Sequence, residues 1–317
     1  MVRPETPGPE DGNRTTANRW GKILSSLGAR VRQMQEWDGD GADLLIALHA
    51  VKSHASVRRF HDAHPGAPIV LCGTGTDLYL PRDDEDEALA HESLELATRI
   101  VVLQPLAVEA LPPGHRHKAR VILQSFPRSR RGTPKPSDVF LVVLLANVRP
   151  VKDPLLAVDA CELLPATSRI HVIHAGSPID GELAALLQER ARSNPRFETR
   201  GGLPHGEALD LLASSHLLLS TSRQEGGANV LSEALASGVP VVATSIPGSL
   251  GILGGGYPAL FPPGDAPALA NLLVRCEEDS DFYGELLLRC DRLSEQLDPQ
   301  RELDSWASLL EELGIPG

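Results

Sequence analysis

Short apolar runs alternate with helix-forming stretches along almost the whole chain, and that alternation restricts the fold more than any other feature. Residues 43–47, 69–71, 99–103 and 120–123 read as strands in the first half. Residues 139–145, 170–174, 197–199, 217–220 and 239–243 read as strands in the second. Helical patterns fall between them, at 55–63, 87–97, 155–164, 182–192 and 207–214. Strands that each need a helical crossover before the next strand build parallel sheets covered on both faces, so an α/β architecture is expected. The stretch 125–138 is rich in proline and basic residues and breaks the alternation. It divides a first Rossmann-like domain, 1–127, from a second, 139–317, with 128–138 as linker. Two doubly wound domains with a cleft between them follow, with helices and no further strand from 266 to 313. A doubly wound domain opens on a strand, yet Met1-Val2-Arg3-Pro4-Glu5-Thr6-Pro7 offers little of one. Either that strand is very short or the natural start lies upstream of Met1, and the second is the preferred expectation.

One unit of the pattern carries chemistry. Glu225-Gly226-Gly227-Ala228-Asn229-Val230-Leu231-Ser232-Glu233 joins the strand run at 217–220 to the next at 239–243. Strand, glycine turn, helix and strand put the turn at the carboxyl edge of a parallel sheet, where ligands bind. A helix start offers unpaired N–H groups and the positive end of a dipole, and Gly226 and Gly227 permit close backbone approach, so a phosphate is the natural guest. Glu233 lies about one turn past Asn229 and faces the same crevice, where a carboxylate accepts from a vicinal diol such as ribose. Glu225, ahead of the helix, reaches hydroxyls beyond the phosphates. Gly238 is placed to cap the helix. Together these groups outline a nucleotide-sugar site; the plainer alternative is two solvated glutamates around an ordinary turn.

Arg149 and Lys152 sit in a loop after the strand run 139–145, where they can neutralise a diphosphate leaving group as a glycosyl bond breaks. With them in place no metal ion is required, and no cofactor is expected. Arg200 and Gly201, and His174, follow neighbouring strands and can border a base, His174 equally well as a structural residue. In the first half, Gly12, Asn13, Arg14 and Thr15 stand at the start of an amphipathic helix, 17–27, as an anion site, or Thr15 or Thr16 serves as a plain N-cap. His49 and Lys52 follow one strand and Thr76 and Asp77 another, as candidates for binding an acceptor. The acidic run 83–87 reads as a solvated helix start.

Composition removes several function classes. A net charge of −12 disfavours nucleic acid and anionic membrane surfaces. Aromatics at 4% disfavour a stacking platform for single strands. No apolar run is long enough to span a bilayer, and residues 1–20 lack an apolar signal core. Cys72, Cys161, Cys276 and Cys290 form no CxxC pair, which suits reduced, buried thiols and a cytoplasmic location.

Taken together, Arg149, Lys152, Glu225-Gly226-Gly227-Ala228-Asn229 and Glu233 resemble the family 4 type of GT-B glycosyltransferase, over most of the chain. The resemblance implies that the first carboxylate meets the donor sugar, the second the nucleotide ribose, and the basic pair the diphosphate. Arg149 and Lys152 are closer together than is usual in that family. Gly12-Asn13-Arg14-Thr15-Thr16-Ala17-Asn18-Arg19-Trp20, Trp37-Asp38-Gly39, 43–50 and Gly75-Thr76-Asp77-Leu78-Tyr79 look like the selenosugar synthases of selenoneine biosynthesis. That narrower resemblance implies a UDP-sugar donor, typically UDP-N-acetylglucosamine, and selenophosphate as acceptor. In that scheme Arg149, Lys152, Glu225 and His49 carry catalysis. Gly226, Gly227, Ala228, Asn229, Glu233, Arg200 and Gly201 bind the donor, while Gly12, Asn13, Arg14, Thr15, Lys52, Thr76 and Asp77 bind the acceptor. A family 4 enzyme with a hydroxyl acceptor and a noncatalytic nucleotide-sugar-binding protein remain as alternatives.

Overall fold

The computed structural model describes residues 1–4, 12–79, 83–128 and 130–315. The chain forms two units: Met1–Gln124 with Glu225–Gly227 and Pro299–Gly317, and Ser125–Gln224 with Ala228–Asp298. Residues 5–7 of the expected opening strand lie outside the described residues.

In the first unit, β1 (Leu45–Leu48), β2 (Ile69–Gly73), β3 (Arg99–Val102) and β4 (Ala119–Val121) form a parallel sheet in that order. Val2 extends it beyond β1. Its amide donates to the Ile46 carbonyl at 2.8 Å and its carbonyl accepts from the Leu48 amide at 3.0 Å, with parallel bridges to Ala47 and Met34. The opening segment therefore pairs as a very short strand, and because Met34 flanks Val2 on the side away from β1, the strand order turns between Val2 and β1.

Alternation along the strands divides the core between the two faces. Leu45, Ala47, Ile69, Leu71, Ile100 and Val102 pack with Val57, Phe60 and Leu94. Ile46, Leu48, Val70, Cys72, Val101 and Leu103 pack with Trp20, Leu24 and Trp306. Every β1 and β2 residue is buried, as a sheet covered on both sides requires. Trp306 belongs to the helix Pro299–Glu312, which the sequence pattern alone assigns to the second domain. It meets Trp20 edge-on at 4.8 Å between ring centroids, and the buried Glu302 accepts from the Trp20 indole N–H at 2.8 Å and from Arg19 at 3.2 Å. Apolar burial thus carries the last helix back onto the first sheet; truncating either tryptophan would cost about 3–5 kcal/mol.

The second unit holds β5 (Phe140–Leu145), β6 (Ile170–Ala175), β7 (Phe197–Thr199), β8 (Leu217–Ser220), β9 (Val241–Thr244) and β10 (Leu260–Phe261). They form one parallel sheet in the order β10-β9-β8-β5-β6-β7. Counted from β5, this is the Rossmann order 3-2-1-4-5-6, and the order reverses between β5 and β8. β10, two residues at the sheet edge, is too short to register as a strand in sequence. The segment 125–138 carries no helix or strand among its described residues. Arg131 ties it down, donating to Ser294 Oγ at 2.7 Å and to the Ala236 and Leu235 carbonyls at 3.3 Å each.

Local chemistry sets the helix ends. Asp180, Asp265 and Asp279 cap helices of the second unit by accepting amides three residues on. In the first unit Asp83 caps Asp84–Leu96, whose first turn carries four acidic residues. Gly238, at φ 73°, ends the helix Asn229–Ser237 by donating to the Ala234 and Leu235 carbonyls. All four cysteines are buried and free.

Candidate functional site

In an open parallel sheet the crevice lies where strand order reverses, because loops from neighbouring strands leave there in opposite directions. In the second unit those loops follow β5 and β8. The first carries Ala146 to Asp153 and is shaped by proline and strain: Pro150–Lys152 make one 3₁₀ turn and Asp153 sits in the left-handed region at φ 44°. The second begins with Thr221. Hydrogen bonds stitch the two together. Thr221 Oγ1 donates to the Lys152 carbonyl at 2.7 Å, and the Arg223 amide to the Val151 carbonyl at 2.8 Å. The Arg223 guanidinium reaches Asp153 Oδ2 at 2.7 Å. Arg149 and Lys152 therefore stand on a braced loop at the switch point. Arg223, which does this bracing, escapes sequence reasoning; it lies just ahead of the motif but its partner is 70 residues away.

The helix Asn229–Ser237 follows, buried on nearly all sides. Its N-cap is Ala228, whose methyl group cannot accept from the first amides as the aspartate caps do. Glu233 lies one turn in and is only 7% exposed. Its Oε1 meets His205 Nε2 at 2.9 Å, from the first residue of the helix His205–Ser214. His205 is the second residue that sequence reasoning misses; only tertiary packing brings it to Glu233. A buried carboxylate held by a neighbouring ring presents its remaining lone pairs in a set direction, as recognition of a diol needs.

Several expected residues have other employment. Arg200 pairs with Glu198 at 2.7 Å, and the Gly201 carbonyl accepts from the Gly176 amide at 2.8 Å. His174 donates from Nε2 to the Ala146 carbonyl at 2.8 Å, and burial pushes its pKa below the ordinary value, so it is a neutral strut beneath the β5 loop. Glu225, Gly226 and Gly227 group with the first unit. There a side chain at Gly226 would meet the Thr74 carbonyl at 2.4 Å, and one at Gly227 would meet Leu103 Cβ at 2.4 Å. Sequence reasoning assigns these glycines to close approach of an anion; the space a side chain would need is taken up by protein.

In the first unit the strand order turns between Val2 and β1. The helix Gly12–Ser26 starts with Gly12, Asn13, Arg14 and Thr15, so neither Thr15 nor Thr16 is the N-cap. Thr16 is buried inside the helix and accepts from Gln124 Nε2 at 2.6 Å. After β1, His49 takes a left-handed conformation at φ 76°, unusual for a residue with a Cβ. Its Nδ1 accepts from the Lys52 amide at 3.3 Å, which leaves Nε2 as the donor to Thr76 Oγ1 at 3.1 Å. Lys52 itself is exposed. Asp77, 4% exposed, accepts from the amides of Ala50, Thr74 and Gly75 at 2.9 Å each. Asp77, expected to touch an acceptor, is thus the peg on which the loops after β1 and β2 hang.

Residues 125–295, more than half of the chain, match the glycosyl transferases group 1. The chain belongs to that family. Its fold is of the GT-B type, two Rossmann-like units with parallel sheets, and solved structures share it. Anabaena HepE in complex with UDP-glucose has a TM-score of 0.70 at 20% identity, over 85% of this chain and 79% of that one. The pneumococcal O-GlcNAc transferase GtfA, in complex with UDP and GlcNAc, has a TM-score of 0.69 at 13% identity, over 95% of this chain and 60% of that one. A mutant of S. aureus TarM, in a complex that includes UDP, has a TM-score of 0.68 at 14% identity over 84% of this chain, which spans 55% of the TarM chain. No helix among the described residues is long and apolar enough to cross a membrane.

Proposed function

We propose that this group 1 glycosyltransferase moves a sugar, N-acetylglucosamine in the favoured reading, from its UDP conjugate to the selenium of selenophosphate. What supports the donor half is that Arg149 and Lys152, on the braced loop after β5, and the buried, His205-held Glu233, on the helix after β8, follow the two strands of one switch point. Glu233 holds the ribose, and Arg149, Lys152 and the first amides of the helix Asn229–Ser237 hold the diphosphate. Glu225 contacts the sugar. HepE and GtfA, the one with UDP-glucose and the other with UDP and GlcNAc, support a uridine nucleotide as donor.

The acceptor half rests on the first-unit sequence runs that resemble selenosugar synthases. In the first step selenium forms a bond to the anomeric carbon. The bond from that carbon to the β-phosphate oxygen breaks, and its electron pair leaves with UDP. Water then cleaves the Se–P bond, releasing phosphate and the selenosugar. An anionic selenium nucleophile needs little help from a base, so stabilising the departing diphosphate supplies most of the rate. Asn13, Arg14, Thr15 and Lys52 position the acceptor, with His49 and Thr76 shaping its surroundings.

The test is incubation with UDP-N-acetylglucosamine, with and without selenophosphate, followed by mass spectrometry for UDP and a seleno-sugar. Selenophosphate-dependent formation of both is the expected result. UDP release that depends on sugar alcohols instead would assign a hydroxyl acceptor, and tight UDP binding without turnover under any acceptor would assign a binding protein.

A further inference from the structure

His91, Glu95 and His115 form a cluster in the first unit that the transfer chemistry does not use. His91 and Glu95 lie one turn apart on the helix Asp84–Leu96, and their side chains share a face. His115 comes from the 3₁₀ segment Pro113–Lys118, just ahead of β4. Glu95 Oε1 is 3.5 Å from His115 Nε2 and 3.9 Å from His91 Nε2, and a ligand atom from each residue lies within 4.8 Å of the others. His115 is buried at 5% exposure, and its Nδ1 has no hydrogen-bond partner among the described residues.

We propose that His91, Glu95 and His115 form a transition-metal site of the Zn²⁺ class, which clasps the end of the helix Asp84–Leu96 to the turn that feeds β4. Two imidazoles and one carboxylate are a donor set that zinc accepts, with water left for the fourth position. Ligands at zinc–donor distances of about 2.0–2.1 Å stand about 3.3 Å apart around a tetrahedral ion. The 3.5 Å edge is already close to that spacing, and the exposed side chains of His91 and Glu95 can rotate to close the 3.9 Å edge. The buried member is anchored. Lys118 Nζ donates to the Leu94 and Glu95 carbonyls at 2.9 Å each, pinning the 3₁₀ segment to the helix end and holding His115 opposite Glu95.

The experiment uses the full chain, free of any polyhistidine tag and stripped with chelator, titrated with Co²⁺ and Zn²⁺ alone. One equivalent of Co²⁺ is expected to give the visible absorption of a four-coordinate ion, displaced by Zn²⁺, and saturating Zn²⁺ is expected to raise the thermal midpoint. His91→Ala and Glu95→Gln, both at exposed positions that leave the core untouched, should each weaken binding at least tenfold and abolish the thermal shift. Absence of binding, or binding that His91→Ala leaves unchanged, would overturn the site. Because the readouts are spectroscopic and thermal, they stand apart from any assay of sugar transfer.

Discussion

The two sheets reach their switch points with opposite use of polar groups. In the second unit, hydrogen bonds from Thr221 and Arg223 brace the backbone of the loop that carries Arg149 and Lys152, and His205 holds the Glu233 carboxylate. In the first unit the side chains themselves do the bracing. Asp77 takes three backbone amides, and His49 accepts from the Lys52 amide and bonds Thr76. A motif residue beside a sheet's carboxyl edge is therefore not a ligand residue by position alone; what decides is whether its polar atoms are already consumed.

Substitutions can break that contrast. Asp77→Ala would strand the buried amides of Ala50 and Gly75 and the half-buried amide of Thr74, at about 1–3 kcal/mol for each buried group, so a loss of stability of roughly 2 kcal/mol or more is expected in urea titrations. A variant that unfolds like the wild type would return Asp77 to the ligand candidates. Arg149→Ala is expected to lower kcat on the order of a hundredfold with stability unchanged, as loss of one stabiliser of a departing anion does. If stability falls instead, the two regions are built alike. Glu233→Ala should weaken UDP binding about tenfold by calorimetry, a charged hydrogen bond lost. His205→Ala should weaken it less, because His205 acts only through the orientation of Glu233.

The smallest effect concerns the last helix. Arg120 and Arg99 hold the Glu312 carboxyl down to about 2 from its ordinary 4.5. Arg120 Nε lies at 2.9 Å and Arg99 Nε at 2.7 Å from it. Since the folded pKa is depressed, the stabilisation is complete above about 4.5 and disappears as pH falls toward about 2. Solvent screening keeps it small. Glu312→Gln should flatten the acid limb of the stability profile across that window and leave neutral pH nearly untouched.

Much of this was legible because it is local. The strand runs of 69–71 and 197–199, the cap at Gly238 and the acid-rich start of Asp84–Leu96 follow from neighbours a few residues away. Gly226 and Gly227 were legible as glycines that something must approach, but not as to what; Thr74 and Leu103 lie more than a hundred residues off in sequence. The same holds for His205 beside Glu233, for Arg223 beside Asp153 and for Trp306 on Trp20.

The sequence by itself determined two parallel α/β units, a strand–turn–helix motif with a carboxylate one turn in, and two basic residues in the loop after β5. Periodicity, propensity and capping act within one or two turns of chain, so a single sequence carries them openly. Only the tertiary structure decided that β5 lies beside β8, which brings Arg149 and Lys152 to the loop that leads to Glu233. It alone decided that the last helix returns to the first sheet and that Asp77 is consumed by backbone. Strand order and helix docking are settled by which distant surfaces bury most apolar area and leave fewest polar groups unpaired, and that competition is not written in any local stretch.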